Sequence, residues 1–173
     1  MKICVIGTGT MAKGIVKAFA AKMPIVMKSR TQASLDKAMA SIVKGYGKLV
    51  EKGKMTQEAV DALLANITTT TDYASFADAD LVIEAAVEEM QLKKDVFTEL
   101  DGICKPETIF ATNSSSLSIT EIAACTKRPA QFIGMHFFNP ADRMALVEVI
   151  KGQLTSDEVT KRSEEHTSEL QSR

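Results

Sequence analysis

Proline and glycine are scarce, at 4 and 9 residues in a chain of 173, so neither a collagen-like repeat nor a low-complexity linker fits. No apolar run approaches the roughly 20 residues that a membrane-spanning helix needs. Neither sign of charge is in excess. The 21 basic and 22 acidic residues leave a net charge of −1, without the basic footprint that nucleic acid or an anionic membrane surface calls for. Cysteine is limited to Cys4, Cys104 and Cys125, which form no CxxC pair and sit in apolar settings. They read as small reduced core residues, and no metal site is expected. Met1 runs straight into the strand-like stretch after it, with no charged and apolar leader, so no secretory signal is expected. A hydrophobic content of 45% excludes disorder and supplies a core. These absences predict a soluble cytoplasmic globular domain that binds neither nucleic acid nor membrane.

What is present is an alternation. Short β-branched runs at Ile3–Ile6, Ile25–Lys28, Ile67–Thr70, Leu81–Glu84, Ile109–Thr112, Phe132–Met135 and Leu146–Ile150 predict strands. The first six have few polar breaks, as strands buried on both faces do. Between them lie helical stretches at Met11–Ala21, Ser34–Glu51, Thr56–Leu64 and Gln91–Ile103, with a short helix opened by the capping box Ser118/Glu121. Ser34–Glu51 and Thr56–Leu64 form a two-helix excursion. Strand, helix, strand, repeated, predicts a doubly wound α/β domain of Rossmann type with a mostly parallel sheet. A further capping box at Thr155–Glu158 starts a new helix that has no evident partner to pack against.

At the end of the first strand stands Gly7-Thr8-Gly9-Thr10-Met11-Ala12, a G-x-G-x-x-A loop. Gly7 allows the tight turn, Gly9 lets backbone approach a pyrophosphate, and Ala12 keeps the helix close to the sheet. The free N–H groups and positive end of the helix, from Thr10 and Met11 onward, then meet phosphate. The residue that reads the adenosine ribose belongs near the end of the second strand. That stretch is Met27-Lys28-Ser29-Arg30-Thr31, with no carboxylate before Asp36. Ser29 and Arg30 offer a hydroxyl and a planar cation suited to a 2′-phosphate. Charge-assisted bonds of about 1.5–3 kcal/mol shift cofactor choice by one to two orders of magnitude. NADP(H) is therefore expected over NAD(H).

Two polar runs follow the ends of later strands, Asn113–Ser116 and His136–Pro140, where ligands bind in open α/β sheets. Glu148 lies in the middle of the apolar run Leu146–Ile150 and is expected to be buried, where an unpaired charge is costly. It needs a partner, and His136 is the only histidine outside the last twelve residues. A histidine polarised by a carboxylate is a general acid/base pair. Joined to a nucleotide loop, it predicts hydride transfer coupled to proton transfer.

The glycine loop, Ile83–Glu88, Ala111–Ser118, Gly134–Pro140 and Leu146–Ile150, in that order, resemble the (S)-3-hydroxyacyl-CoA dehydrogenases, and most closely the bacterial 3-hydroxybutyryl-CoA dehydrogenases. The resemblance covers about residues 1–161. It implies that His136 exchanges a proton with the 3-hydroxyl, or returns it in acetoacetyl-CoA reduction, and that Glu148 orients His136. It further implies that Ser115 hydrogen-bonds the reacting oxygen, that Asn113 shapes the loop near the nicotinamide, and that Glu88 and Lys93 contact the cofactor. Ser29 departs from the acidic residue of NAD-using members, in keeping with an NADP-using branch. Lys44, Lys48, Lys52 and Lys54 suit either CoA phosphates or a solvated helix face, and the sequence leaves both open. Members of the family continue into a second, helical domain that closes over the acyl-CoA substrate and makes a homodimer contact.

By this resemblance residues 1–154 form the dinucleotide-binding domain and 155–161 the first turns of the helical one. Residues 162–173 read as the in-frame translation of a common sequencing adapter, so they are expected to be foreign to the fold and His166 is not a ligand candidate. Two alternatives remain: a nucleotide-binding module without useful catalysis, and a related hydroxyacid dehydrogenase acting on a sugar acid.

Overall fold

A computed structural model describes residues 1–144 and 146–171; of the stretch 162–173, residues 172 and 173 lie outside the described residues. Seven strands, β1 (Ile3–Ile6), β2 (Ile25–Lys28), β3 (Ile67–Thr70), β4 (Leu81–Glu84), β5 (Ile109–Thr112), β6 (Phe132–Phe137) and β7 (Val147–Lys151), form one sheet in the order β3-β2-β1-β4-β5-β6-β7. All neighbours run parallel except β6 and β7, which are antiparallel. The order reverses direction between β1 and β4, and that switch opens a crevice at the carboxyl ends of the strands.

The apolar runs explain the layering. β1, β4 and β5 are buried at every residue, because helices cover both faces. On one face pack α1 (Thr10–Ala20), α2 (Gln32–Glu51) and α3 (Gln57–Ala65), with Ile15, Phe19, Leu35 and Ile42 meeting alternate strand residues such as Val5 and Met27. On the other pack α4 (Met90–Asp101), α5 (Ile119–Ala123) and a 3-10 turn at Tyr73–Phe76. There Phe97 lies 4.6 Å from Phe132 and 5.5 Å from Phe110, ring centre to ring centre. Thr31, Thr56 and Ser118 cap α2, α3 and α5 through their hydroxyls, each accepting from the N–H three residues on. Among the described residues, no helix is long and apolar enough to cross a membrane.

The C-terminal helix departs from expectation in two ways. α6 (Asp157–Gln171) is capped by Ser156, whose hydroxyl accepts from the Val159 N–H at 3.2 Å. Thr155 instead turns inward, donating to the Phe132 carbonyl at 2.6 Å and accepting from the Gly152 N–H at 2.8 Å. The helix also has a partner. Val159 is 1% exposed, and Leu170 packs against the core cluster that includes α1. α6 runs unbroken through residues 161 and 162.

Candidate active site

Five strands end level with one another, so Thr70, Lys28, Ile6, Glu84 and Thr112 form a row along the carboxyl edge of the sheet. The glycine turn leaves from the centre of that row. Gly7 has φ of 126°, and a Cβ there would come within 2.5 Å of the Ala85 carbonyl oxygen, so only glycine fits. Its N–H donates to the Lys28 carbonyl at 2.9 Å, tying the turn to β2. Gly9 is the N-cap of α1 and offers no side-chain cap. The first helical bond runs from the Lys13 N–H to the Gly9 carbonyl at 3.0 Å, leaving the N–H groups of Thr10, Met11 and Ala12 without a helical acceptor. A Cβ on Gly9 would meet nothing within 4 Å, and the first turn carries no acidic residue. An open space over uncapped donors at a helix start suits an anion such as a pyrophosphate.

Beside this turn lies a cleft of about 310 Å³. It brings together Met11, Glu88, Lys93, Asn113, Ser115 and His136, six of the residues singled out from the sequence. Glu148 stands behind His136 as its cross-strand partner in the β6–β7 ladder, with Oε2 2.9 Å from Nδ1. The pairing is as expected; the burial is not. The Glu148 side chain is 53% exposed, because β7 is the sheet's last strand and this side of it faces outward. Asn113 fixes the other end of the arrangement, its Oδ1 accepting from the Phe137 N–H at 2.9 Å and so locking the loop after β5 to the end of β6. Ser29 and Arg30 lie apart, just past the end of β2. The Ser29 N–H donates to the Thr70 carbonyl, and Arg30 is exposed.

Sequence reasoning missed the network beneath the cleft. Glu84, fully buried at the end of β4, accepts from Lys93 Nζ with both oxygens at 2.8 Å, from the Thr112 hydroxyl at 2.7 Å and from the Ala86 N–H at 2.7 Å. Lys93 Nζ also reaches Glu88 at 3.3 Å. Glu88 in turn gathers the serine loop: one oxygen accepts from the Ser114 hydroxyl, from the Ser115 N–H at 3.1 Å and from the Ser116 N–H at 3.3 Å. Partial burial works against its charge, but the Ser114 hydroxyl and the Lys93 ammonium outweigh it and hold the carboxyl below the usual range. The signal for Glu84 was a carboxylate closing an otherwise apolar, doubly buried strand. Lys44, Lys48, Lys52 and Lys54 are all exposed, and Lys54 lines a separate groove between α1, α2 and the 141–144 segment.

The sequence pattern of the family described as 3-hydroxyacyl-CoA dehydrogenase, NAD binding domain, matches residues 2–172. The chain belongs to this family. It is 55% identical over 157 residues to a 3-hydroxybutyryl-CoA dehydrogenase of Clostridioides difficile, an alignment covering 90% of this chain and 56% of that protein. It is 49% identical over 162 residues to a probable 3-hydroxybutyryl-CoA dehydrogenase of Deinococcus radiodurans, covering 93% of this chain and 58% of that one. The crystal structure of (S)-3-hydroxybutyryl-CoA dehydrogenase from Ralstonia eutropha superposes with a TM-score of 0.94 at 39% identity, over 98% of this chain and 60% of that one. The chain thus spans little more than half the length of the curated relatives it matches. Within the 3-hydroxyacyl-CoA dehydrogenase family, an oxidoreductase family, this is a Rossmann-type domain for a nicotinamide cofactor.

Proposed function

We propose that this domain is the cofactor half of an enzyme interconverting acetoacetyl-CoA and (S)-3-hydroxybutyryl-CoA, with NADP(H) preferred over NAD(H). The observation that carries the reading is the His136–Glu148 pair, at 2.9 Å, beside a cleft that also holds Ser115 and Asn113 and adjoins an uncapped helix start. When bound, the nicotinamide supplies the hydride acceptor or donor. The N–H groups of Thr10 and Met11 hold the pyrophosphate, and Ser29 and Arg30 hold the 2′-phosphate.

The rest of the chemistry is a proton transfer. Glu148 accepts the Nδ1–H of His136, which fixes the tautomer and leaves Nε2 to exchange a proton with the 3-oxygen of the substrate. In oxidation Nε2 takes the hydroxyl proton as hydride leaves C3; in reduction it returns the proton as C3 gains hydride. Glu148 stabilises the imidazolium formed in the first direction. The Ser115 hydroxyl bonds the reacting oxygen, and Asn113 keeps that loop in register with His136. Glu88 and Lys93 brace the same loop while lining the cofactor side of the cleft. In the whole enzyme a helical domain beginning at residue 155 closes over the acyl-CoA and makes the contact between two subunits.

The test is NADPH oxidation by acetoacetyl-CoA, run on this chain and on a form extended by the helical domain. The extended form is expected to turn over and the chain alone to be feeble. A folded, extended form with His136 intact that leaves NADPH unoxidised contradicts the proposal.

A further inference from the structure

Lys28 is the last residue of β2, between Ile6 and Thr70 in the row of strand ends. It is 5% exposed, and its ammonium lies 3.4 Å from the centre of the Tyr73 ring. A lysine buried to this degree normally has an anionic partner. Among the described residues no carboxylate comes within ion-pair distance of it; the ion pairs all belong to other cations. The other charge in the row, Glu84, is already matched by Lys93. Two carboxylates act on Lys28 only at longer range: Glu99 on α4 and Asp72 at the start of the 3-10 turn. Arg30 acts on the same ammonium and pushes the other way, as a second cation within electrostatic reach. Burial and Arg30 therefore both disfavour the charged form, and the lysine is held below its usual range. This unmatched cation stands one residue before Ser29, on the strand whose carbonyl anchors the glycine turn.

We propose that Lys28 is a specificity-determining residue, whose ammonium on the Tyr73 ring forms, with Arg30 across Ser29, a two-cation seat for the 2′-phosphate of the nucleotide. The proposal rests on the reading of the NADP(H) preference given above and assigns it to a residue that reading did not use. A dianion at this edge relieves the repulsion between the two cations and supplies the partner that Lys28 lacks. Tyr73 contributes the ring face that holds the ammonium in place without neutralising it. A ribose bearing a free 2′-hydroxyl offers no charge to either cation, so Lys28 adds nothing to the binding of NADH.

The experiment is calorimetric titration of the whole chain with NADPH and with NADH, for the unsubstituted protein, Lys28→Met and Lys28→Arg. Methionine fits the apolar surroundings of the Tyr73 ring, and thermal melting of each variant verifies that it is folded. Lys28→Met is expected to weaken NADPH about 10- to 100-fold, the span of one charge-assisted bond, and to leave NADH within about twofold. Lys28→Arg is expected to keep most of the NADPH affinity. Folded Lys28→Met that binds NADPH as before, or that loses NADPH and NADH equally, overturns the role of Lys28 while the preference itself stands. An unsubstituted chain that binds the two cofactors equally overturns both.

Discussion

Glu84 and Lys93 are each 1% exposed in their side chains and face each other at 2.8 Å, with both carboxylate oxygens on one ammonium. Every further lone pair of Glu84 that the structure engages goes to a neighbour of the cleft, Thr112 or the Ala86 N–H. The pair therefore welds the ends of β4 and β5 to α4 directly under the cleft. Removing one partner leaves the other charge buried and unmatched. Lys93→Met is expected to cost about 3–5 kcal/mol in urea unfolding. The double variant Glu84→Gln/Lys93→Met should recover a large part of that loss, because neither charge then remains. A Lys93→Met midpoint equal to that of the parent contradicts this account of the network.

The two glycines of the turn should respond in opposite ways. Gly7→Ala forces an alanine to φ of 126° against the Ala85 carbonyl, so it is expected to lose at least about 1–3 kcal/mol of stability. Gly9 has φ of −70°, which alanine accepts, and the new methyl meets no protein atom. Gly9→Ala should melt with the parent yet bind either cofactor about tenfold more weakly or worse, since the methyl occupies the pyrophosphate's space. Thermal melts and cofactor titrations of the two variants separate the roles. Unchanged affinity in Gly9→Ala removes the pyrophosphate from this turn.

Asp80 accepts hydrogen bonds from the Lys105 ammonium and the Lys2 N–H, and the Lys105 bond is the main reason its carboxyl lies below the ordinary 3.8. Between the folded value and 3.8 the unfolded chain binds more protons than the folded one, so stability rises with pH across that window. The contribution is complete above 3.8 and is lost as pH falls through the folded value. Asp80→Asn should thus lower the urea midpoint at pH 7 and draw level with the parent once pH has fallen below the folded value. Equal offsets at both pH values contradict the assignment.

The cysteines should differ in reactivity. Burial pushes the Cys4 thiol up to about 12 and the Cys104 thiol up to about 11, whereas Cys125 is only half-buried. A thiol-disulfide reagent at pH 8 is expected to label Cys125 first and the other two only in denaturant, since the thiolate is the reacting form. Rapid labelling of Cys4 or Cys104 in the native chain contradicts the packing described.

Much of the architecture is legible residue by residue where physics acts locally. β1, β4 and β5 begin and end where the apolar runs do, because a strand covered on both faces has little tolerance for polar residues until its ends. β3 keeps its expected bounds but not its expected burial, since it is the sheet's other outer strand and its Thr68 and Thr69 are exposed. Caps are legible where a hydroxyl precedes a helix, as at Thr56 and Ser118, and misread where two hydroxyls compete, as at Thr155 and Ser156. The His136–Glu148 pairing is legible in the sequence but the burial of Glu148 is not: apolar neighbours suggest a buried strand, yet on the outermost strand alternate residues face away from the core. Glu84 and Lys28 are illegible for another reason. Each looks like an ordinary polar end to a strand. What makes Glu84 unusual is Lys93, on the helix that follows β4 and folds back over its end, and what makes Lys28 unusual is Tyr73, in a 3-10 turn far along the sequence.

The most direct test of the account is the kinetics of His136→Gln and Glu148→Gln in the form extended by the helical domain, with acetoacetyl-CoA and NADPH. His136→Gln is expected to lower kcat about 10²- to 10⁴-fold, the usual worth of a positioned acid/base group, with cofactor affinity unchanged. Glu148→Gln should follow with a smaller loss, because it acts only through the ring it orients. A His136→Gln enzyme that keeps its kcat while binding NADPH normally contradicts the assignment of proton transfer to this pair.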